Sequence, residues 1–494
     1  MNRRSFLAAT AGGGALLAGC LEFDDEPTSE TESEPESPTD ETSGTNGEST
    51  SDAELPAFDD PSVVDFETAP LTAAVVDGRF RTDDGLEVGL AFEGAATEDA
   101  PATIVAVVHN GKSYEQRIQS RRLVAFDDPT TGRSDDGETV YLTPAEDHPL
   151  AETPPGYERD GDGRWRLEAV GDDWFPETIT LAGEETVVGE HYLLGHHGYD
   201  DAPIDAGRYD FRWRGNGFII AVWETDAPGP NGTSTFDGGS VPDLPNEDEL
   251  AWFHEATPTT EAYLEPDVES VTAPAKVSFG LVNRSRESMG GNPYRWRLYK
   301  LEDGEWFPIA PWGWEDPYAA VEPGDVDETA LFLYDDDPIE RGGERTVGHL
   351  GGGRYAYTVD YSRDGETHAA LLDLEAPSLE VEPEADAAIE DEGEKVVVEL
   401  PNYADARRPA TVIVTRSDTD VDEVDERLIP EQLPRRPFRG FRNAIPLFDD
   451  GVETVRVKTD RGTALGQFGY EEGERRTIAY EGRTFEATGA LEDG

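Results

Sequence analysis

"RWRLYKLEDGEWFPI", Arg295 to Ile309, decides the fold of this 494-residue chain. Side chains alternate across a strand, so Trp296 and Leu298 share one face and Arg295 and Arg297 the other. Asp303-Gly304 is a favoured two-residue turn, and Trp306 opens the returning strand. The stretch reads as a hairpin with an apolar inner face and a charged outer one. An earlier stretch, "RWRLEAVGDDWFP" (Arg164 to Pro176), repeats it. There Trp165 and Leu167 share one face, Arg164 and Arg166 the other, and Trp174 is expected to begin a returning strand. Downstream, "LAGE" (Leu181 to Glu184) answers "EPGD" (Glu322 to Asp325), and "GRYDF" (Gly207 to Phe211) answers "GRYAY" (Gly353 to Tyr357). The Arg and Trp faces are either binding surfaces or the core and salt-bridged outside of a sandwich.

Outward from the repeat, β patterns dominate. "LEVGLAFE" (Leu86 to Glu93) alternates, and "ATIVAVVHN" (Ala102 to Asn110) is a buried-type run. "GRYDFRWRGNGFIIAVWET" (Gly207 to Thr225) reads as a hairpin turning at Gly215-Asn216-Gly217, and further hairpin signals stand at Asp460-Arg461-Gly462 and Glu481-Gly482. No capped helical periodicity is present. The predicted fold class is all-β: tandem β-sandwich domains after a signal peptide and a disordered acidic stalk. The expected segments are a signal over 1–19, a stalk over 20–55 and a β-sandwich over 56–228. A linker over 229–247, a second sandwich over 248–376 and a C-terminal β domain over 377–494 complete the chain.

The second copy resembles a bacterial immunoglobulin-like domain family of exported proteins, which implies an Ig-like β-sandwich over 248–376 and tandem immunoglobulin-like β-sandwich domains. The likeness runs through "APAKVSFGLVNRSRES" (Ala273 to Ser288), the hairpin, "VEPGD" and "GRYAYTVDY". Two stretches exceed that pattern: the aromatic-rich "APWGWEDPY" (Ala310 to Tyr318) and "DDDPIERGGERTVGHLGG" (Asp335 to Gly352). The first copy matches only in its second half.

The N-terminus carries the address. Arg3 and Arg4 precede Ser5, Phe6 and Leu7, which resembles the twin-arginine export motif. The following run is too short to span a bilayer, which takes about 20 apolar residues. Leu17-Ala18-Gly19-Cys20 resembles the lipobox of surface lipoproteins, which implies lipid on Cys20, the chain's single cysteine. No thiol is left for disulfides or a thiolate metal site. The segment after it, rich in Glu, Asp, Ser, Thr and Pro, cannot build a core and, by self-repulsion, extends as a stalk. The expected location is the outer face of the cytoplasmic membrane.

Asp and Glu number 107 against 40 Lys and Arg, a formal net charge of -67. Such a chain repels itself in dilute salt. The composition resembles that of halophilic archaeal proteins. With 9 Trp, 17 Tyr and 20 Phe the chain is too aromatic to be disordered throughout. Nucleic acid is excluded as an ordinary partner, since no basic face could neutralise phosphates.

Catalytic motifs are missing: there is no nucleophile elbow, phosphate loop, H-E-x-x-H or dinucleotide fingerprint. No cofactor and no catalytic residue are expected. Four features remain. "EHYLLGHHGYDD" gathers His191, His196, His197 and Asp200, a set that suits Zn, Cu or Ni, or else forms a polar loop between strands. "RDGDGRW" (Arg159 to Trp165) begins like a calcium loop but lacks the later Glu, and so reads as a turn. Arg435, Arg436, Arg439 and Arg442 in "RRPFRGFR" either dock an anionic partner or pair with the protein's own carboxylates. Asn231 and Asn283 begin N-glycosylation sequons. The function these readings support is a surface-anchored, non-catalytic lipoprotein with a binding or structural role at the envelope of a halophile. The alternative is metal or solute binding through the histidine loop or an interdomain cleft. Its partners would be the membrane, through the lipid, and an envelope protein or polysaccharide.

Overall fold

The computed structural model describes residues 62–494, except 128, 162, 172, 199–203, 213–215, 246, 248, 340, 364, 469–471 and 493–494. The signal, Arg3, Arg4, Cys20 and the stalk lie outside the described residues. Leu55–Gly494 form one compact unit, in which three hydrophobic cores follow one another along the chain. The architecture is all-β, with tandem sandwiches as its main bodies.

The first body is built on a continuous ten-strand sheet. Buried runs explain its centre: Leu71–Val76 is buried at every position, and Ala102–His109 alternates buried and half-buried residues before a buried run at Ala106–Val108. The sheet folds over so that its two ends meet, with the Phe92 N–H donating to the Ser62 hydroxyl at 2.5 Å. Val75, Ile104, Leu142, Tyr209 and Ile220 thereby reach one core. A small second sheet, Gln116–Gln119 against Thr178–Leu181, covers part of it with Ile118, Ile179 and Leu181. The predicted hairpin is present: Gly207–Asp210 pairs with Ile219–Glu224, and Gly217 takes the positive φ of 135°.

The second body is a two-sheet sandwich. Leu250–Trp252, Thr367–Glu375, Gly353–Ser362, Met289–Glu302 and Glu305–Ala310 form one sheet, and Ala262–Pro266, Ala275–Asn283, Val326–Leu333 and Arg345–Val347 the other. The hairpin at Asp303-Gly304 forms as predicted, with φ of 50° and 83°. Trp296 and Leu298 point into the core with Phe279 and Tyr357.

Three readings are corrected. First, Trp174 does not begin a returning strand. Trp165–Leu167 instead pairs backwards with Tyr157–Arg159, and Trp174 drops into the core 1% exposed. Second, 229–247 is no free linker. Leu244, Phe236 and Val241 pack with Trp252, Tyr299 and Trp306 on the outer face of the second sandwich, and the Trp306 indole donates to the Pro242 carbonyl at 2.8 Å. An apolar sheet face that water would otherwise cover is closed by this strap. Third, Asp460-Arg461-Gly462 makes no hairpin: the Asp460 side chain accepts from Thr463 N and caps the short helix Arg461–Leu465. The C-terminal body is one seven-stranded mixed sheet, order beginning at Ala388–Asp391 and ending at Glu426–Leu428. Short helical turns carrying Phe438, Phe441, Ile445 and Phe468 complete its core.

The repeat extends further than its motifs. Asn110 ends one strand of the first body and Asn283 the equivalent strand of the second. Each is fully buried. The Asn110 amide donates to Ala182 O at 2.7 Å and Tyr114 O at 3.0 Å. The Asn283 amide donates to Val321 O and Glu287 O, both at 2.9 Å. Each thus staples a strand end to the turn in "LAGE" or "EPGD". Asn283→Ala orphans two carbonyls and is expected to cost about 1–3 kcal/mol. A denaturant melt checks it, and a loss below about 0.5 kcal/mol would show that the clamp is dispensable.

Candidate functional site

The histidine loop does not converge. His191 sits mid-strand at an inward position, buried, with Nε2 3.0 Å from the Ala125 carbonyl. Its ring packs edge-on against His148 (centroids 4.7 Å apart) and Phe126 (5.5 Å). His196 and His197 follow the strand's end and stack on each other at 4.4 Å beside Tyr141. The strand directs the first histidine to the core and leaves the other two at its rim. Asp200 lies outside the described residues. Among the described residues no group of three or more His, Cys, Asp or Glu is placed to hold a metal ion. In "RDGDGRW", Asp160 is occupied as a turn: its carboxylate accepts from the Arg164 N–H at 2.8 Å.

His148 and His191 form a buried pair instead. The bare Cα of Gly189 makes room, since a Cβ there would run into the His148 ring. Burial, which penalises the charged form, holds His148 down to about 4; burial and then His148 hold His191 down to about 3. Unfolded rings titrate near 6.5, so between those values the unfolded chain binds more protons. Stability is therefore lost as pH falls below about 6.5. For His148 the loss reaches on the order of 3 kcal/mol by its folded value. His148→Leu is expected to flatten the fall in first-body stability between about pH 7 and pH 4.5. An unchanged slope would show that other groups govern the acid limb.

The arginine cluster is turned inward. Arg435 donates to Glu431 O (2.9 Å) and Gly348 O (2.7 Å), at the junction of the second and third bodies. Burial pushes its guanidinium down to about 10. Arg439 grips Glu384 with two bonds of 2.5 and 2.6 Å, and Arg442 donates to the Glu382 carbonyl at 3.1 Å. Arg436 is exposed. The docking reading is thus corrected for Arg435, Arg439 and Arg442, whose donors satisfy carbonyls and a carboxylate of the same chain. Of the sequons, Asn231 is exposed, whereas Asn283 spends its amide on the clamp and is not presented for glycosylation in the folded chain.

Between the first and second bodies, Arg208 donates to the Gly324 carbonyl and meets Asp325 at 3.1 Å, and Arg286 pairs with Asp65. Gly324, at φ +78°, lies flat on Ala221: a Cβ there would stand 2.6 Å from the alanine's. Beside this contact runs a cleft of about 950 Å³. Arg208, Lys276 and Arg284 are offset there by Asp136, Glu224, Glu265, Asp267 and Glu328, so it presents no net field for an anion.

The aromatic-rich insertion is the outstanding surface. Trp312 and Trp314 are 43% and 39% exposed, Tyr318 80% and nearby Tyr294 55%. The other described tryptophans are buried or half-buried. The loop is fixed: the Asn292 amide donates to Glu315 O at 2.8 Å, and the Trp312 indole to Ile309 O at 3.0 Å. Trp312 also meets Phe438 edge-on at 5.0 Å. Arg295 and Arg297 lie over Trp314, 5.6 and 5.0 Å from its ring. Composition flagged this loop; only the fold shows that its rings stay outside.

Among the described residues no helix is long and apolar enough to cross a membrane. No family model matches the chain, and no curated protein matches it. Among solved structures, the native conformation of E. coli alpha-2-macroglobulin is similar at 10% identity, over 86% of this chain and 25% of that one, with a TM-score of 0.13. The chain thus spans about a quarter of that protein, and at this level the likeness carries no argument.

Proposed function

We propose that this chain is a non-catalytic lipoprotein of the cell surface, a lipid-anchored array of immunoglobulin-like modules that binds or organises envelope components. The observation that carries it is the chain's single cysteine, Cys20, at the end of a twin-arginine, apolar, L-A-G-C sequence and directly before an acidic Ser/Thr/Pro segment. The folded part of the chain adds support: it is a compact β unit whose exposed aromatic loop is held by hydrogen bonds. Two acyl chains anchor stably where one gives only marginal binding. High net charge and sparse lysine support a saline habitat. Cys20→Ser is expected to release the protein into the medium or block its processing, and Arg3→Lys with Arg4→Lys to trap precursor inside the cell. Fractionation reads both. A Cys20→Ser protein that stays membrane-bound with unchanged processing would end the reading.

A further inference from the structure

We propose that the loop Ala310–Tyr318, with Tyr294 and Arg295 beside it, is a binding platform for an uncharged saccharide chain. This deepens the surface-anchored reading and rests on it only for the source of the ligand. Exposed aromatic faces cost free energy, and several of them gathered on one surface mark an interaction site. Two tryptophans and two tyrosines left outside on one rigid loop and the strand beside it therefore point to a partner. Rigidity matters because binding then orders little.

The ligand class emerges by elimination from the groups present. A cation is disfavoured, because two guanidinium groups already lie over Trp314 and repel another positive charge. An acidic partner or a second copy would set its carboxylates directly against Glu315 and Asp316 of the loop, at a range too short for salt to screen fully. A dry apolar protein contact would bury Arg295, Glu315 and Asp316 among the rings, a heavy desolvation cost. A neutral sugar escapes all three objections. Its C–H faces lie on the electron-rich ring faces, while its hydroxyls accept from Arg295 and donate to Asp316 or to the tyrosine oxygens, in the usual mix of aromatic wall and few polar groups.

The test uses the full chain, detergent-solubilised in molar KCl. It is titrated with neutral hexasaccharides of glucose, mannose and galactose, and with hexagalacturonate as the charged comparison, read by calorimetry and Trp emission. At least one neutral hexasaccharide is expected to bind at millimolar or lower concentration. Trp314→Ala and Tyr318→Ala should each weaken it about tenfold, the scale of one lost ring contact. Their melting temperatures should match wild type, since neither ring belongs to a core. Three results would overturn the proposal: no neutral hexasaccharide binds, only hexagalacturonate binds, or both variants bind as wild type does. So would an oligomer, seen by sedimentation, that the same variants dissociate, because the rings would then cover a protein contact. Cys20→Ser protein should bind the sugar unchanged, which separates failure of the platform from failure of the anchor.

Discussion

Lys300→Met is expected to destabilise the junction of the second and third bodies by about 3–5 kcal/mol, the usual cost of stranding one member of a buried ion pair. Lys300 Nζ lies 2.6 Å from Glu431 Oε1, with the two side chains 7% and 2% exposed. The same oxygen accepts from the Gly351 N–H at 3.2 Å, and Ile429, two residues upstream, completes the core of the second sandwich. Without the ammonium, the buried Glu431 carboxylate loses the partner that offsets the cost of its burial. The double variant Lys300→Met with Glu431→Leu should recover most of the loss, because a well-packed apolar pair often replaces a buried ion pair at little cost. Denaturant melts of the three proteins check it. A single variant within about 0.5 kcal/mol of wild type would mean that the pair is solvated and the junction loose.

Transfer from molar to dilute salt is expected to lower the melting temperature by about 10 °C or more, from a loss of several kcal/mol. The reason is the formal charge of -67. At molar salt the Debye length is about 3 Å, against about 10 Å at 0.1 M, so repulsion among the excess carboxylates is largely screened only in the first case. The exposed arginine–carboxylate pairs, such as Arg117–Glu115 and Arg475–Glu486, are too solvated to offset it. Sodium sulfate should protect better than sodium chloride, since it also strengthens apolar burial. Buried Trp174 and Trp296 should report the change as a red shift in emission. A melting temperature flat across that range would contradict the halophilic reading and require another partner for the carboxylates.

Local pattern carries the strands well and tertiary choice poorly. The run Ala102 to Asn110 is a strand through His109, and Glu481-Gly482, like Asp303-Gly304, turns a hairpin because two successive positive φ angles suit it. Period-2 burial and turn chemistry are properties of adjacent residues, so a single sequence displays them. Asp460 misleads because a cap and a turn ask for the same side chain. What distinguishes them is the helix after it, whose Ala464 and Leu465 are buried only in the folded chain. The strap over 229–247 has the composition of a linker, and its few apolar residues matter because a bare sheet face waits for them. Asn110 and Asn283 look like a strand end and a sequon. Their shared role is fixed by carbonyls about 40 to 70 residues away in the chain. Arg435 likewise finds its acceptors, Gly348 and His349, in the neighbouring body. At the candidate site, the insertion and its aromatic content are legible in the sequence, while the exposure of its rings is not.

Surface anchoring through Cys20 is tested most directly by the N-terminal peptide of the protein purified from membranes. Mass spectrometry is expected to find Cys20 as the first residue, carrying the added mass of acyl or prenyl-type lipid, with residues 1–19 gone. A chain that still begins at Met1, or one whose Cys20 is a free thiol, would contradict the anchored lipoprotein outright.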